Sequence, residues 1–290
     1  MKLSLVTAAS ILFFCLSTPV VAAPLPTGKG NFLHTAAIGE SGKPVTVWYY
    51  KPATLGANKK VLFVMHDADR HGESYRDHWV PYAEKYNFLL VVPEFAEKHF
   101  STDEYEFGNI ADPRQERWSF WVIEQVFDQL RQREASVAGK YYLFGHSAGA
   151  QFVHRFMLFM PAPRVQIAFA ANAGAYTMPV YPDWLQPSFP MTLDKTLVSE
   201  QRLAAAFSRR LVLMLGEQDI DENSAGLPRS AEALEQGKNR FERGRKFFQL
   251  AQRQAAAQNT ALNWKLVTVP NVGHSHAGMA KAALGYLFEK

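Results

Sequence analysis

A short apolar run, Tyr141-Tyr142-Leu143-Phe144, leads straight into Gly145-His146-Ser147-Ala148-Gly149. A G-x-S-x-G at the end of a buried strand makes a turn so tight that only small residues fit beside the central serine, whose hydroxyl is left exposed at the start of a helix. The run before the motif suits a strand covered on both faces. After it, Phe152, Val153, Phe156, Met157 and Met160 fall at helical spacing, and Pro161 supplies a stop. Ser147 is therefore the candidate nucleophile. The pentapeptide alone is a weak signal; the strand, turn and helix around it carry the inference.

The remaining periodicities fit around such a strand. Residues 31–38 and 44–50 are rich in β-formers and flank Gly39-Glu40-Ser41-Gly42, which predicts an opening hairpin. Apolar runs over 61–65, 88–92, 165–170, 211–216 and 262–269 predict further strands. Helices are expected over 75–86, 118–134, 148–160 and 278–288, with one more opening at Asn239, where Glu242 three residues on resembles a capping box. Residues 97–117 lack a clear period and read as a surface loop. Residues 172–199 are dense in proline and aromatics, too aromatic for disorder, and are expected to roof a site. Short apolar strands alternating with helices predict an α/β fold, with a mostly parallel sheet, helices on both faces and an antiparallel N-terminal hairpin.

The first residues belong to another category. Lys2, an apolar run over 3–16 and the small residues before Ala22 and Ala23 have the form of a cleavable secretory signal over 1–23. The apolar run is shorter than the roughly 20 residues of a spanning helix, so no stable membrane anchor is expected after cleavage near Ala22 or Ala23. One domain is then expected over 24–290. Cys15 is the only cysteine, so a mature chain would hold no disulfide, thiolate metal site or cysteine nucleophile. Export without disulfides fits a bacterial periplasm or exterior. Hydrophobic residues at 48% and charged residues at 20% exclude a disordered or fibrous chain. The net charge of +4 is too modest to argue for nucleic acid as a partner.

A serine hydroxyl needs a base to take its proton, and the base works best when a carboxylate holds its tautomer. The acid is expected just after the run over 211–216, where Glu217, Asp219, Asp221 and Glu222 lie. Asp219, three residues past Gly216, is the first choice and Asp221 the second. Asp219, Asp221 and Asn223 also copy the opening of a calcium loop, but Ser224 and Ser230 stand where glycine and glutamate are needed, so no metal is expected. For the base, Gly273 directly before His274 lets the loop after the last strand bend toward the serine; nearby His276 is expected to line the pocket. Acyl transfer also requires oxyanion donors. The N–H of Ala148, directly after the nucleophile, and that of Ala68, in the loop His66-Asp67-Ala68, are the candidates. Arg70 is placed to neutralise Asp67 or Asp69 there.

These stretches carry a resemblance. The His66 loop with Tyr75-Arg76-Asp77-His78-Trp79, the Ser147 elbow, Ala171-Asn172-Ala173-Gly174-Ala175-Tyr176-Thr177-Met178-Pro179 and the Gly273-His274 loop resemble secreted α/β-hydrolases related to polyhydroxybutyrate depolymerases and feruloyl esterases. The resemblance implies an α/β-hydrolase fold and a serine hydrolase that needs no cofactor and acts on a small or oligomeric ester. Depolymerases of that kind usually carry a linker, a polymer-binding domain and cysteines, which favours a soluble substrate here. A related group resembles poly(aspartic acid) hydrolases, which cut amides in a polyanion. The cluster Lys238, Arg240, Arg243, Arg245 and Lys246 would suit such a substrate, although a solvated helix face is the plainer reading. Tyr176 and Trp184 of the aromatic segment are candidate substrate contacts. The alternative from another class is a binding protein that keeps the fold without catalysis.

Overall fold

A computed structural model describes residues 23–39, 42–56, 60–134, 137–182 and 189–288. All but the last residue of the expected signal, and Trp184, lie outside the described residues. The strands are β1 (Gly28–Ala36), β2 (Lys43–Lys51), β3 (Val61–Met65), β4 (Leu89–Glu94), β5 (Tyr141–His146), β6 (Val165–Ala171), β7 (Leu211–Gly216) and β8 (Lys265–Val269). The helices are α1 (Gly72–Tyr86), α2 (Thr102–Glu106), α3 (Trp121–Arg133), α4 (Ala148–Phe159), α5 (Glu200–Phe207), α6 (Ala231–Gln236), α7 (Arg240–Ala257) and α8 (His276–Phe288).

The strands form one sheet in the order β1-β2-β4-β3-β5-β6-β7-β8. The hairpin β1–β2 is antiparallel and β2 pairs antiparallel with β4, while every later pairing is parallel. Alternation along each strand sends side chains to two separate cores. Phe63, Met65 and Leu143 pack with Val126 and Phe127 of α3, Phe152 and Phe156 of α4, and Phe247 of α7. Leu62, Val64 and Phe144 face the other way and meet Trp79 and Ala83 of α1 and Met279 and Leu284 of α8. A strand clad on both faces reads as an unbroken apolar run, which is why β3, β5 and β7 stand out in the sequence.

Two segments differ from expectation. The stretch 97–117 is not a simple surface loop: it holds α2, capped by a Ser101–Glu104 capping box, and buries Phe100, Tyr105 and Ile110 completely or nearly so. The second is the aromatic segment 172–199, whose first residues do not roof the site: Ala173, Ala175, Tyr176, Thr177 and Met178 are buried. Gln236 serves that stretch as a strand would, accepting from Tyr176 N–H (2.8 Å) and donating to its carbonyl (2.8 Å). The capping box expected at Asn239 is half formed: Asn239 Oδ1 accepts Glu242 N–H, but Glu242 Oε2 takes the N–H of Lys238 instead of that of Asn239.

Candidate active site

Ser147 sits between β5 and α4 with φ 56° and ψ −117°, a backbone conformation that non-glycine residues rarely adopt. The glycines on either side make that turn possible. A Cβ at Gly145 would stand 2.2 Å from the Gly149 carbonyl oxygen, and one at Gly149 would stand 2.4 Å from the Met65 oxygen at the end of β3. The elbow is thus pressed against the neighbouring strand with no room for a methyl group.

The loops that follow β7 and β8 come to the same end of the sheet, where sites of α/β folds form at strand C-termini. His274 Nε2 lies 3.1 Å from Ser147 Oγ, and His274 Nδ1 lies 2.8 Å from Asp219 Oδ2. With Nδ1–H donating to the carboxylate, the Nε2 lone pair faces the serine hydroxyl. Asp219 is buried. Asp221, the second choice, is exposed and accepts the N–H of Asn223.

Three residues that the sequence did not place at the site surround this arrangement. Asn172, at the end of β6 with φ 52°, donates through Nδ2 to the Gly273 carbonyl (3.0 Å) and accepts the Gly216 N–H (2.8 Å), tying the acid loop to the base loop. Arg240, at the start of α7, places Nη1 3.7 Å from Asp219 Oδ1 and donates to Ser224 Oγ and the Ala225 carbonyl. His146 lies with its ring centroid 4.6 Å from that of His274. Both nitrogens of His146 are buried without a partner among the described residues, and burial, then the positive fields of His274, His276 and Arg240, pushes its pKa well below the ordinary histidine value. The ring against the base is therefore neutral. The one sequence signal that could have found any of them is an asparagine just past the apolar run 165–170, a residue type that tolerates the left-handed conformation.

The Ala148 N–H is the first of α4, where no preceding turn supplies an acceptor. Ala68 lies in the turn closed by Arg70 N–H on the Asp67 carbonyl, at the end of the strand packed beside the elbow. Arg70 does not neutralise Asp67 or Asp69. Its Nη1 donates to the Phe95 and Phe100 carbonyls, and its guanidinium lies 4.5 Å from the Tyr105 ring centre. His66, despite its position, is a strut: it takes the Phe95 N–H at Nε2 and donates from Nδ1 to the Asp67 carbonyl, and burial lowers its pKa to about 3.

The expected substrate contacts fall elsewhere. Tyr176 is fully buried, stacked 4.7 Å from Phe247, so it has no surface to offer a ligand. His276 accepts the Trp79 indole N–H at Nε2 (2.9 Å) and packs 4.3 Å from Tyr75, on the α1 side of the sheet, with its pKa lowered to about 4 by burial. Of the basic cluster, Arg240 and Arg243 are buried; Arg243 donates to the Gly174 and Gly237 carbonyls. Only Lys238, Arg245 and Lys246 of that group are exposed. Among the described residues no group of three or more His, Cys, Asp or Glu side chains is arranged to hold a metal ion.

No family model and no curated protein sequence matches the chain. Solved structures do. Poly(aspartic acid) hydrolase-1 from Sphingomonas sp. KT-1 is 38% identical over 90% of this chain and 98% of its own, with a TM-score of 0.83. LpqC, a poly(3-hydroxybutyrate) depolymerase from Bordetella parapertussis, is 30% identical over 91% of this chain and 90% of its own, also with a TM-score of 0.83. An S-formylglutathione hydrolase from Agrobacterium tumefaciens, 14% identical over 92% of this chain and 96% of its own with a TM-score of 0.56, shares the fold. With an eight-stranded, mostly parallel sheet and a serine elbow at its centre, the chain belongs to the α/β-hydrolase family of serine hydrolases that includes poly(aspartic acid) hydrolase-1 and LpqC.

Proposed function

We propose that the chain is an exported, single-domain hydrolase that cleaves a carboxylic ester through an acyl-enzyme on Ser147. The observation that carries this reading is the continuous hydrogen-bonded chain from Ser147 Oγ through His274 to Asp219. His274 Nε2 takes the hydroxyl proton as Oγ attacks the ester carbonyl, and Asp219 stabilises the imidazolium that results. The negative charge on the carbonyl oxygen falls to the N–H groups of Ala148 and Ala68; each such donor lowers the barrier by about 3 kcal/mol. The imidazolium then gives its proton to the leaving alkoxide, and the alcohol departs. Water, deprotonated by the same nitrogen, attacks the acyl-enzyme and releases the acid.

A second reading is amide cleavage in a polyanion, favoured by the 38% identity to a protein named poly(aspartic acid) hydrolase-1. The same groups would perform it. Against it stands the inward turn of Arg240 and Arg243, which leaves fewer cations for an acidic polymer. Side-by-side turnover of short-chain p-nitrophenyl esters and poly(aspartic acid) tests the choice. Cleavage of the polymer with no ester turnover would replace the first reading with the second. Export rests on the form of residues 1–23. It is tested by sequencing the N-terminus of the protein recovered from the periplasm or medium, which is expected to begin after Ala22 or Ala23.

A further inference from the structure

A carboxylate that the mechanism does not use is hydrogen-bonded to the first turn of α4, the helix that begins at the nucleophile. Gln151 donates its backbone N–H to the Ser147 carbonyl (3.1 Å), so it lies in the first turn of α4, directly after the nucleophile. The Gln151 Nε2 donates to Glu106 Oε2 at the end of α2. The Tyr105 hydroxyl, next in sequence, donates to the His66 carbonyl (2.6 Å) and so pins α2 to the loop that carries Ala68. On the other side, a Cβ at Gly174 would lie 3.8 Å from Gln151 Nε2 and 2.9 Å from Pro228 of the acid loop. Glu106 and Gln151 thus stand where the Ala68 loop, the first turn of α4 and the loops after β6 and β7 converge.

The charges around this pair are one-sided. Arg155 of α4 and Arg70 of the β3–α1 loop are the cations that face Glu106, and Asp103 of α2 adds a like charge. Arg155 is fully buried and donates to Thr177 Oγ1 (2.9 Å) and the Glu106 carbonyl (2.8 Å), with its guanidinium carbon 3.8 Å from the Phe107 ring centre. Arg70 is spent on carbonyls. Burial outweighs both cations and raises the Glu106 pKa above the ordinary glutamate value, and both cations are engaged by protein groups: Arg155 by Thr177 and Glu106, Arg70 by Phe95 and Phe100.

We propose that Glu106, held by Gln151, is a specificity-determining residue that accepts a hydrogen bond from a neutral substrate group, such as a hydroxyl, and rejects a substrate that carries a carboxylate at that position. The proposal deepens the ester-hydrolase reading and rests on it. It favours hydroxylated or otherwise neutral esters over polycarboxylates.

The test compares matched substrates at a pH where Glu106 is ionised: p-nitrophenyl hexanoate against mono-p-nitrophenyl adipate for the acyl side, and phenyl acetate against 3-acetoxybenzoate for the leaving group. The quantity read is the ratio of kcat/KM for the anionic member to that for the neutral member. Glu106→Gln is expected to raise this ratio about tenfold in at least one pair, the scale of removing one nearby charge from a partly screened site. Gln151→Lys, which neutralises Glu106 without deleting it, is expected to do the same, and Glu106→Asp to keep the wild-type ratio. A purely structural role, as counter-charge to Arg155, would depress both members alike and leave the ratio unmoved. Ratios within about twofold of wild type in both folded variants, a difference too small to represent a unit charge at this range, overturn the proposal. Failure of the wild type to turn over any of the four esters overturns the hydrolase reading itself, and the proposal with it.

Discussion

Arg240 and Asp219 are both buried, and the guanidinium Nη1 stands 3.7 Å from the carboxylate Oδ1 that does not face His274. The Asp219 carboxylate is therefore held from both sides, by His274 and by Arg240. Arg240→Gln leaves the buried Asp219 carboxylate without its guanidinium partner. Loss of one partner of a buried pair costs about 3 kcal/mol or more, so the variant is expected to unfold at lower urea concentration and to lose about a hundredfold in kcat/KM. A variant with wild-type stability and activity would show that the contact is incidental.

Asn172 joins the two loops that carry the acid and the base, through its bonds to Gly216 and Gly273. Asn172→Ala strands a buried N–H and places alanine at positive φ, for a loss of about 2–4 kcal/mol. Asn172→Gly relieves the backbone but not the missing bonds and is expected to recover about 1 kcal/mol of that loss. Urea unfolding of the pair separates the two contributions; equal losses in both would contradict the backbone part of the argument.

The elbow stores strain at Ser147, where φ is 56°. Ser147→Ala keeps the strain, whereas Ser147→Gly relieves it at the cost of extra chain entropy. The glycine variant is expected to be the more stable of the two by up to about 1 kcal/mol. Gly149→Ala, whose methyl would meet the Met65 oxygen at 2.4 Å, is expected to yield little folded protein. Calorimetric melts of the three variants check both statements.

His66 is buried and His276 half-buried, and their pKa values are lowered to about 3 and about 4, chiefly by desolvation. In the unfolded chain each titrates near 6.5, so between about pH 6.5 and 4 the unfolded state binds more protons and stability rises with pH. Their contribution is complete above about pH 6.5 and is lost as the pH falls toward the folded values. His276→Gln, whose amide oxygen reaches the Nε2 position that accepts the Trp79 N–H, is expected to flatten the dependence of Tm on pH across that window. An unchanged slope would mean that His276 is not the group responsible.

The elements that were legible in the sequence are those whose signal is local. The strands Val61–Met65 and Leu211–Gly216 are apolar throughout because both faces are covered, and the Ser147 elbow announces itself through the glycines its backbone requires. Asp219 and His274 could be placed by chain order and by the glycines before them. What was hidden depends on contacts between distant residues. Phe100, Tyr105 and Ile110 are buried at intervals of about five residues, which match neither the helical nor the strand period, so no pattern betrays them. Arg240 reads as one of five clustered bases, and only the fold reveals that it turns inward to Asp219. Tyr176 looks like a ligand contact by composition, yet the two hydrogen bonds from Gln236, sixty residues away, draw its backbone into the core.

Every step of the proposed acyl transfer requires Ser147 to be an activated nucleophile. Labelling with a fluorophosphonate probe, followed by peptide mapping, tests this without any assumption about the substrate. The expected result is a single adduct on Ser147, absent in Ser147→Ala and strongly slowed in His274→Ala. A folded wild-type protein that takes no label, or takes it on another residue, would contradict the mechanism.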